Sequence, residues 1–378
     1  MKKRIIFFVV LIAFISFACQ QKPVTKTIDN EPISNIEEGF VRVPASEIEG
    51  KEPSYQFPDN EDYWKGVFVK NRRVKLSSFA VAKTETTYKL WYEVRMWAEA
   101  NGYNFVFKGK EGRGIEGKAP TAEKSDHPVT WISWRDAIVW CNAYTAMKNK
   151  NEENCVYRKS KSDDTILKDA TSEDCDRAFA DMSKKGYRLP TEAEWEFAAR
   201  YQGIEGDSLD KTNAEKYGNV YLTRLNSVAG AKKPIGFEGI TLPEGETFKT
   251  LMAELERVAI CNKWWDGNDW VDFSPAVTET GHVASKAPNA LGLFDMTGNV
   301  YEWCFDYHND NPMINDAEYR KEGVAHNPQG ATTGTERIAK SSSWFTQGDS
   351  CLLGYRISWS PSSYKNTSVG IRLVYSLE

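Results

Sequence analysis

Tryptophan constrains the fold of this chain more than any other feature, with thirteen indoles in 378 residues. Each indole brings a large apolar area to bury and an N–H that needs an acceptor. The expected core is therefore a set of irregular segments packed on indoles, rather than a helix bundle. The rest of the composition, 41% hydrophobic and 27% charged, is that of a soluble globular protein with enough apolar residue for a sizeable core. A net charge of −5 argues against a nucleic-acid partner, because phosphate binding needs a basic face. Length alone suggests about two domains.

The first residues read as a targeting segment. Lys2, Lys3 and Arg4 form a positive start, and Ile5 to Ala18 is an apolar run too short to span a bilayer as an ordinary helix. It ends at Ser16-Phe17-Ala18-Cys19, small residues before a cysteine, which resembles a relaxed bacterial lipobox. The expectation is a signal peptide over 1–18 and a lipidated Cys19 that anchors the protein to a membrane. The plainer reading is a cleaved signal peptide with an incidental cysteine. Residues 19–37 then form the lipidated cysteine and a polar tether interrupted by Pro23 and Pro32.

Cys141, Cys155, Cys175, Cys261, Cys304 and Cys351 follow. Export permits disulfides, but spacing does not assign them. Cys155 and Cys175 flank a charged, loop-like insertion and are the expected pair, whereas Cys141 lies in a helical pattern and reads as a buried free thiol. The four histidines, His127, His282, His308 and His326, are far apart, which disfavours a histidine-rich metal site or a histidine-based triad.

Val41–Val43 and Val74–Leu76 alternate as strands. Leu90, Val94, Trp97 and Ala98 place a helix over Thr86–Ala100, stopped by Asn101-Gly102. Ser133 with Asp136 resembles a capping box for a second helix, and Thr191 with Glu194 makes a full capping box for a third. Residues 201–285 read as mostly irregular, with one amphipathic stretch, Phe248–Val258, as a short helix. A C-terminal half of short strands follows. The order is that of an α+β protein with much irregular structure, in which loops this long are functional or pinned.

Three stretches occur in order: Gly186-Tyr187-Arg188-Leu189-Pro190-Thr191-Glu192-Ala193-Glu194-Trp195-Glu196, the segment from Pro288 to Trp303, and Val369-Gly370-Ile371-Arg372-Leu373. Together they resemble the formylglycine-generating-enzyme, or sulfatase-modifying-factor, domain. Weaker matches lie at Phe79–Thr87, Pro128–Trp134 and Ser341–Trp344, so the resemblance spans roughly residues 38–376. It implies one domain over 38–378 with a variant of the C-type lectin fold. Fold alone does not decide function.

Active members of that family use two nearby cysteines that bind copper and activate oxygen, and soft thiolates suit Cu(I). The window Ser341–Ser350 has no cysteine, and Cys351 stands alone in sequence. The expectation is therefore a non-enzyme that carries no copper, with Cys351 a small buried hydrophobe. The resemblance also implies a structural Ca²⁺, with side-chain oxygens from Asp295 and Glu302 and carbonyls from Gly298 and Val300. The alternative is that these two carboxylates only hydrogen-bond loop amides.

Within the fold, the chain is most like the variable proteins of diversity-generating retroelements, among them treponemal variable lipoproteins. Such systems substitute residues near the C-terminus at template adenines. The region about 337–376 resembles such a repeat, framed by Trp344, Cys351, Arg356, Trp359, Pro361 and Val369–Leu373. Between the frame residues sit Phe345, Thr346, Asp349, Ser350, Tyr355, Ser358, Ser360, Ser362, Ser363, Tyr364, Thr367 and Ser368, types that an Asn codon can yield through its adenines. Gln347 and Lys365 do not fit that rule unless their template codons differ. Tyr and Ser also suit a paratope, through rigid contact area and adaptable hydrogen bonding. The plainer reading is a solvated Ser-rich loop.

The leading expectation is a monomeric lipoprotein on the outer membrane and cell surface. It would bind a protein or glycan ligand outside the cell through its variable region. The alternatives are a periplasmic oxidase or maturation enzyme of the same fold, and a purely structural envelope lipoprotein.

Overall fold

The computed structural model describes residues 36–377. Cys19, the signal segment and almost all of the tether lie outside the described residues. From Ile36 on the chain is one compact unit, not the two that length suggests. Among the described residues no helix is long and apolar enough to cross a membrane.

The helices form where their caps are written in sequence. Helix α1 (Tyr88–Ala100) begins at Thr87, whose side chain accepts the Leu90 amide. Helix α2 (Trp134–Asn149) and helix α3 (Glu192–Arg200) each begin in a complete capping box, Ser133 with Asp136 and Thr191 with Glu194. Helix α4 (Phe248–Val258) matches the amphipathic stretch and buries Leu251, Leu255 and Val258. Helix α2 is buried almost all round over its first three turns, more than its one-sided apolar pattern implies.

Indoles join these helices to the rest. Trp91 and Trp140 stack with centroids 5.2 Å apart and tie α1 to α2. Their N–H groups donate to the carbonyls of Lys108 and Trp91, at 3.0 and 3.1 Å. Trp134 donates to the Cys304 carbonyl and Trp195 to Glu302. A buried indole with its N–H satisfied adds packing without an orphaned donor.

Three small sheets matter for the site. Strand Tyr301–Tyr307 is fully buried and lies between Arg337–Lys340, antiparallel, and Val369–Gly370, parallel. Ile357–Trp359 adds the outer edge beside Arg337–Lys340. In a second sheet, Phe79–Ala82 pairs with both Phe40–Val43 and Val374–Ser376, which brings the two ends of the described chain to one strand. The third corrects the sequence reading of 201–285: Tyr201–Ile204, Ala214–Tyr217 and Val220–Thr223 form a sheet, and Lys263–Trp265 and Trp270–Asp272 form a hairpin.

Candidate functional site

The segment 344–373 separates by burial along the division made from its residue types. Trp344, Cys351, Arg356, Pro361 and Val369–Leu373 are buried. Of the expected ligand residues, Phe345 is 66% exposed and Ser363 is also exposed. Thr346, Asp349, Ser350, Tyr355, Ser358, Ser360, Ser362, Tyr364 and Thr367 are half-buried, at the surface. Ser368 departs from the expectation. It is buried and its carbonyl accepts the Tyr301 amide, so it belongs to the frame. Trp359 departs in the other direction, half-buried with the filling.

Groups outside the filling hold this backbone in place. The Arg356 guanidinium donates to both oxygens of Glu192, at 2.8 and 2.9 Å, and its amide donates to the Tyr63 carbonyl. The Trp344 indole donates to the Thr367 carbonyl at 2.9 Å. The amides of Trp131 and Arg135 donate to the carbonyls of Asn366 and Pro361. Because these bonds use frame side chains or backbone, the filling side chains can change without removing them.

Two aromatic groups give the surface its relief. Trp359 and Tyr364 stack at 4.2 Å, with Tyr301 edge-on to Trp359 at 5.1 Å. Tyr355 packs on Trp64 at 4.9 Å and Tyr63 at 5.9 Å. Tyr301 is buried against the first group. Burial holds its hydroxyl far above the usual tyrosine range, and Tyr355, Cys351, Tyr364 and Asp349 push the same way. Lys365 sits over the Phe107 ring at 3.8 Å, and Lys110 over Trp131 at 4.3 Å. Trp131 holds φ at 63°, a left-handed conformation unusual for a bulky residue, and its indole donates to Glu116 at 3.0 Å. Tyr301, Trp131 and Phe107 were not anticipated as site residues. Signals existed for Trp131, inside the Pro128–Trp134 match, and for Tyr301, inside the Pro288–Trp303 stretch, but none for Phe107.

The expected calcium set meets a different arrangement. Both Glu302 oxygens accept the Arg372 guanidinium at 2.8–3.0 Å, and one also accepts the Trp195 indole at 2.6 Å. Glu302 and Arg372 are both fully buried. Asp295 accepts the Ala284 amide at 2.6 Å, and the Gly298 carbonyl accepts the Ser341 hydroxyl at 3.4 Å. Val300 donates its amide to Glu85 at 3.1 Å, a bond that leaves its carbonyl untouched. A cation at Glu302 would have to share or displace the Arg372 ion pair, while Glu85 and Asp295 add two further buried carboxylates beside it. The loop-amide alternative holds for Asp295. For the turn at Val300 the carboxylate that takes the amide is Glu85.

The cysteines bring two corrections. Cys155 and Cys175 do not pair, since their thiols donate to different carbonyls, Asn142 and Asp169, at 3.3 Å each. Cys351, alone in sequence, is not alone in space: Cys261 is buried with it in one apolar cluster, beside the backbone bond from Asn262 to Thr346. Ser342 donates its hydroxyl to the Cys351 sulfur at 3.0 Å. Cys141 is a buried free thiol, as expected.

Comparison with known proteins agrees with this geometry. The family model of the sulfatase-modifying factor enzyme 1-like domain matches residues 24–377. The chaperone protein LppX of Paenibacillus barcinonensis is 27% identical over 63% of this chain and 65% of its own length. The formylglycine-generating enzyme of Streptomyces coelicolor is 26% identical over 68% of this chain and 56% of that protein. The matches thus span a little over half to about two thirds of these relatives. Among solved structures, Treponema denticola variable protein 1 superposes with a TM-score of 0.54 at 24% identity, covering 89% of this chain and 94% of that one. CarF superposes at 0.55 with 23% identity, covering 90% and 98%. These likenesses establish the fold, a formylglycine-generating-enzyme-like variant of the C-type lectin fold.

Proposed function

The chain belongs to the sulfatase-modifying factor enzyme 1-like family, and from that premise we propose that it is a ligand-binding member whose C-terminal segment is the recognition surface. The observation that carries this reading is the separation of a buried frame from a surface filling within 344–373. A site meant to accept many side chains must leave the core untouched, and this one is held by Glu192 through the Arg356 side chain and by backbone bonds with Tyr63, Trp131 and Arg135. The stacked Trp359–Tyr364 pair and Tyr355 supply rigid contact area, and the serines supply adaptable hydrogen bonding. The left-handed Trp131 beside this surface fits a functional position, where backbone strain tends to collect.

On this reading the ligand is a protein or glycan met outside the cell. Cys19 carries lipid, the protein is displayed as a monomer, and the filling is diversified by a retroelement. The test has two parts. The genomic neighbourhood should contain a reverse transcriptase and a template repeat that differs from this 3′ end at adenines. A screen of glycans and secreted proteins should yield a ligand whose binding falls at least tenfold in Tyr355→Ala and Tyr364→Ala without loss of folding. Absence of the repeat sinks diversification. Binding unaffected by both substitutions sinks the assignment of the surface.

A second reading is favoured by one observation, that Cys261 shares the buried cluster of Cys351, which brings together two soft sulfurs that the sequence did not suggest. With relatives named formylglycine-generating enzyme, this keeps an oxidase in view. Conversion of a sulfatase-type cysteine peptide to formylglycine by the purified protein supplied with copper would establish that reading in place of the first.

A further inference from the structure

We propose that Cys261 and Cys351 are the partners of a buried disulfide that ties the base of the recognition segment to the chain leaving α4. Both residues are 1% exposed and share one apolar cluster with Leu255, Val258 and Leu352. The backbones beside them are already joined. The Asn262 amide donates to the Thr346 carbonyl at 2.8 Å, and Lys263 bridges to Gln347 in parallel register. Gln347 precedes the 3-10 turn Gly348–Cys351, whose last residue is the cysteine. Two buried thiols in one cluster, on segments already joined by backbone hydrogen bonds, have the neighbourhood from which a disulfide can close. Cys141, Cys155 and Cys175 share a different cluster, where the thiols of Cys155 and Cys175 donate to separate carbonyls, and Cys304 lies in a third cluster within the strand Tyr301–Tyr307.

The oxidant required is a donor disulfide, of low molecular weight or carried by a thiol oxidoreductase. One cysteine, as thiolate, attacks the donor S–S bond, forms a mixed disulfide and releases one donor thiolate. The second cysteine then attacks the protein sulfur of that mixed disulfide, closes Cys261–Cys351 and releases the second donor thiolate. The two protons lost by the cysteines end on the two departing thiols, so two protein thiols are oxidised and one donor disulfide is reduced. Burial of both sulfurs places this exchange before the two segments close during folding, and shields the finished bond from reductant afterwards. The bond is independent of what the surface binds, and it would exclude two-thiolate metal binding at this pocket.

The full chain is reduced and unfolded, then refolded with oxidised and reduced glutathione, and alkylated under denaturing conditions before digestion. The expected result is one cross-linked peptide pair joining Cys261 to Cys351, with Cys141, Cys155, Cys175 and Cys304 alkylated. The oxidised protein should keep its bond in dithiothreitol alone, lose it when urea is added, and melt several degrees lower once reduced. Cys261→Ser should leave Cys351 alkylated or glutathionylated and create no alternative cross-link. Alkylation of both Cys261 and Cys351 in refolded, soluble protein overturns the proposal, as does a cross-link that joins either one to another cysteine.

Discussion

Asp306 accepts the Glu192 amide at 2.9 Å, and burial, reinforced by the charge of Glu192, pushes its carboxyl up to about 8. An unfolded aspartate ionises near pH ~4. Between those values the folded protein holds a proton that the unfolded chain has released, so stability falls as pH rises through the window. Each pH unit over which that extra proton is held is worth about 1.4 kcal/mol. Glu192 acts in the opposite direction. Burial, the largest single influence, would raise it, but Arg356, Lys340 and Arg72 together outweigh burial and hold it below the usual carboxylate range, so its contribution is lost in acid. Urea unfolding should therefore give a stability maximum near pH ~5 and a loss on the order of 2 kcal/mol or more by pH ~8. Asp306→Asn, which keeps an acceptor for the Glu192 amide, should flatten the alkaline slope, leaving the part set by Asp295 and Glu85, which burial also raises. An unchanged slope in that variant would mean that Asp295 and Glu85, and not Asp306, set it. Arg372→Met makes a second test at this scale. It leaves Glu302 charged and unpaired in the core, and should cost about 3–5 kcal/mol in the same assay. Because Arg372 already neutralises Glu302, chelation should leave the thermal midpoint of the parent protein unchanged. A fall of several degrees in EDTA would restore calcium to the Asp295–Glu302 turn.

At the scale of elements, the frame and the filling should differ as sharply in energy as they do in burial. Ser358→Ala, Ser362→Tyr and Ser363→Tyr alter half-buried or exposed side chains and should each shift stability by less than about 0.5 kcal/mol. Ile371→Ala, in the fully buried frame, should cost about 2–5 kcal/mol. Equal sensitivity in the two sets would remove the basis for a replaceable surface. This contrast also marks what the sequence made legible. The helices were readable because a cap and its answering residue lie three positions apart, as with Thr191 and Glu194. The frame was readable because Trp344, Pro361 and the alternating Val369, Ile371 and Leu373 are types with few roles at a surface. The sheet at 201–223 was not readable, because its short strands are interrupted by Gly203 and Gly218 at positive φ and carry no clear alternation. Glu302 was misjudged for a related reason. Its two partners, Arg372 and Trp195, come from segments about a hundred residues or less away on either side, and no local pattern announces them. Cys261 and Cys351 likewise meet only because the chain after α4 aligns with the turn that follows Gln347.

At the scale of the whole molecule, the strand Phe79–Ala82 decides whether the ends of the domain stay together. It pairs with Phe40–Val43 on one side and Val374–Ser376 on the other, and Val374 also exchanges two backbone hydrogen bonds of 2.9 Å with Arg188 ahead of α3. The Tyr375 hydroxyl accepts the Glu37 amide at 3.1 Å, so first and last segments touch directly. Contacts of such sequence separation repay their loop-closure entropy late, and the sheet should close near the end of folding. Val374 is fully buried, and trimming it to alanine should cost about 2 kcal/mol through lost burial and the cavity left behind. That loss should appear mainly as faster unfolding, with the refolding rate little changed, because contacts absent from the transition state act on the unfolding limb. Stopped-flow chevrons of the parent and Val374→Ala compare the two limbs directly. A variant slowed chiefly in refolding would place the joining of the two ends in the folding nucleus, and the recognition segment, which lies between Trp344 and that last strand, would then be ordered early instead of last.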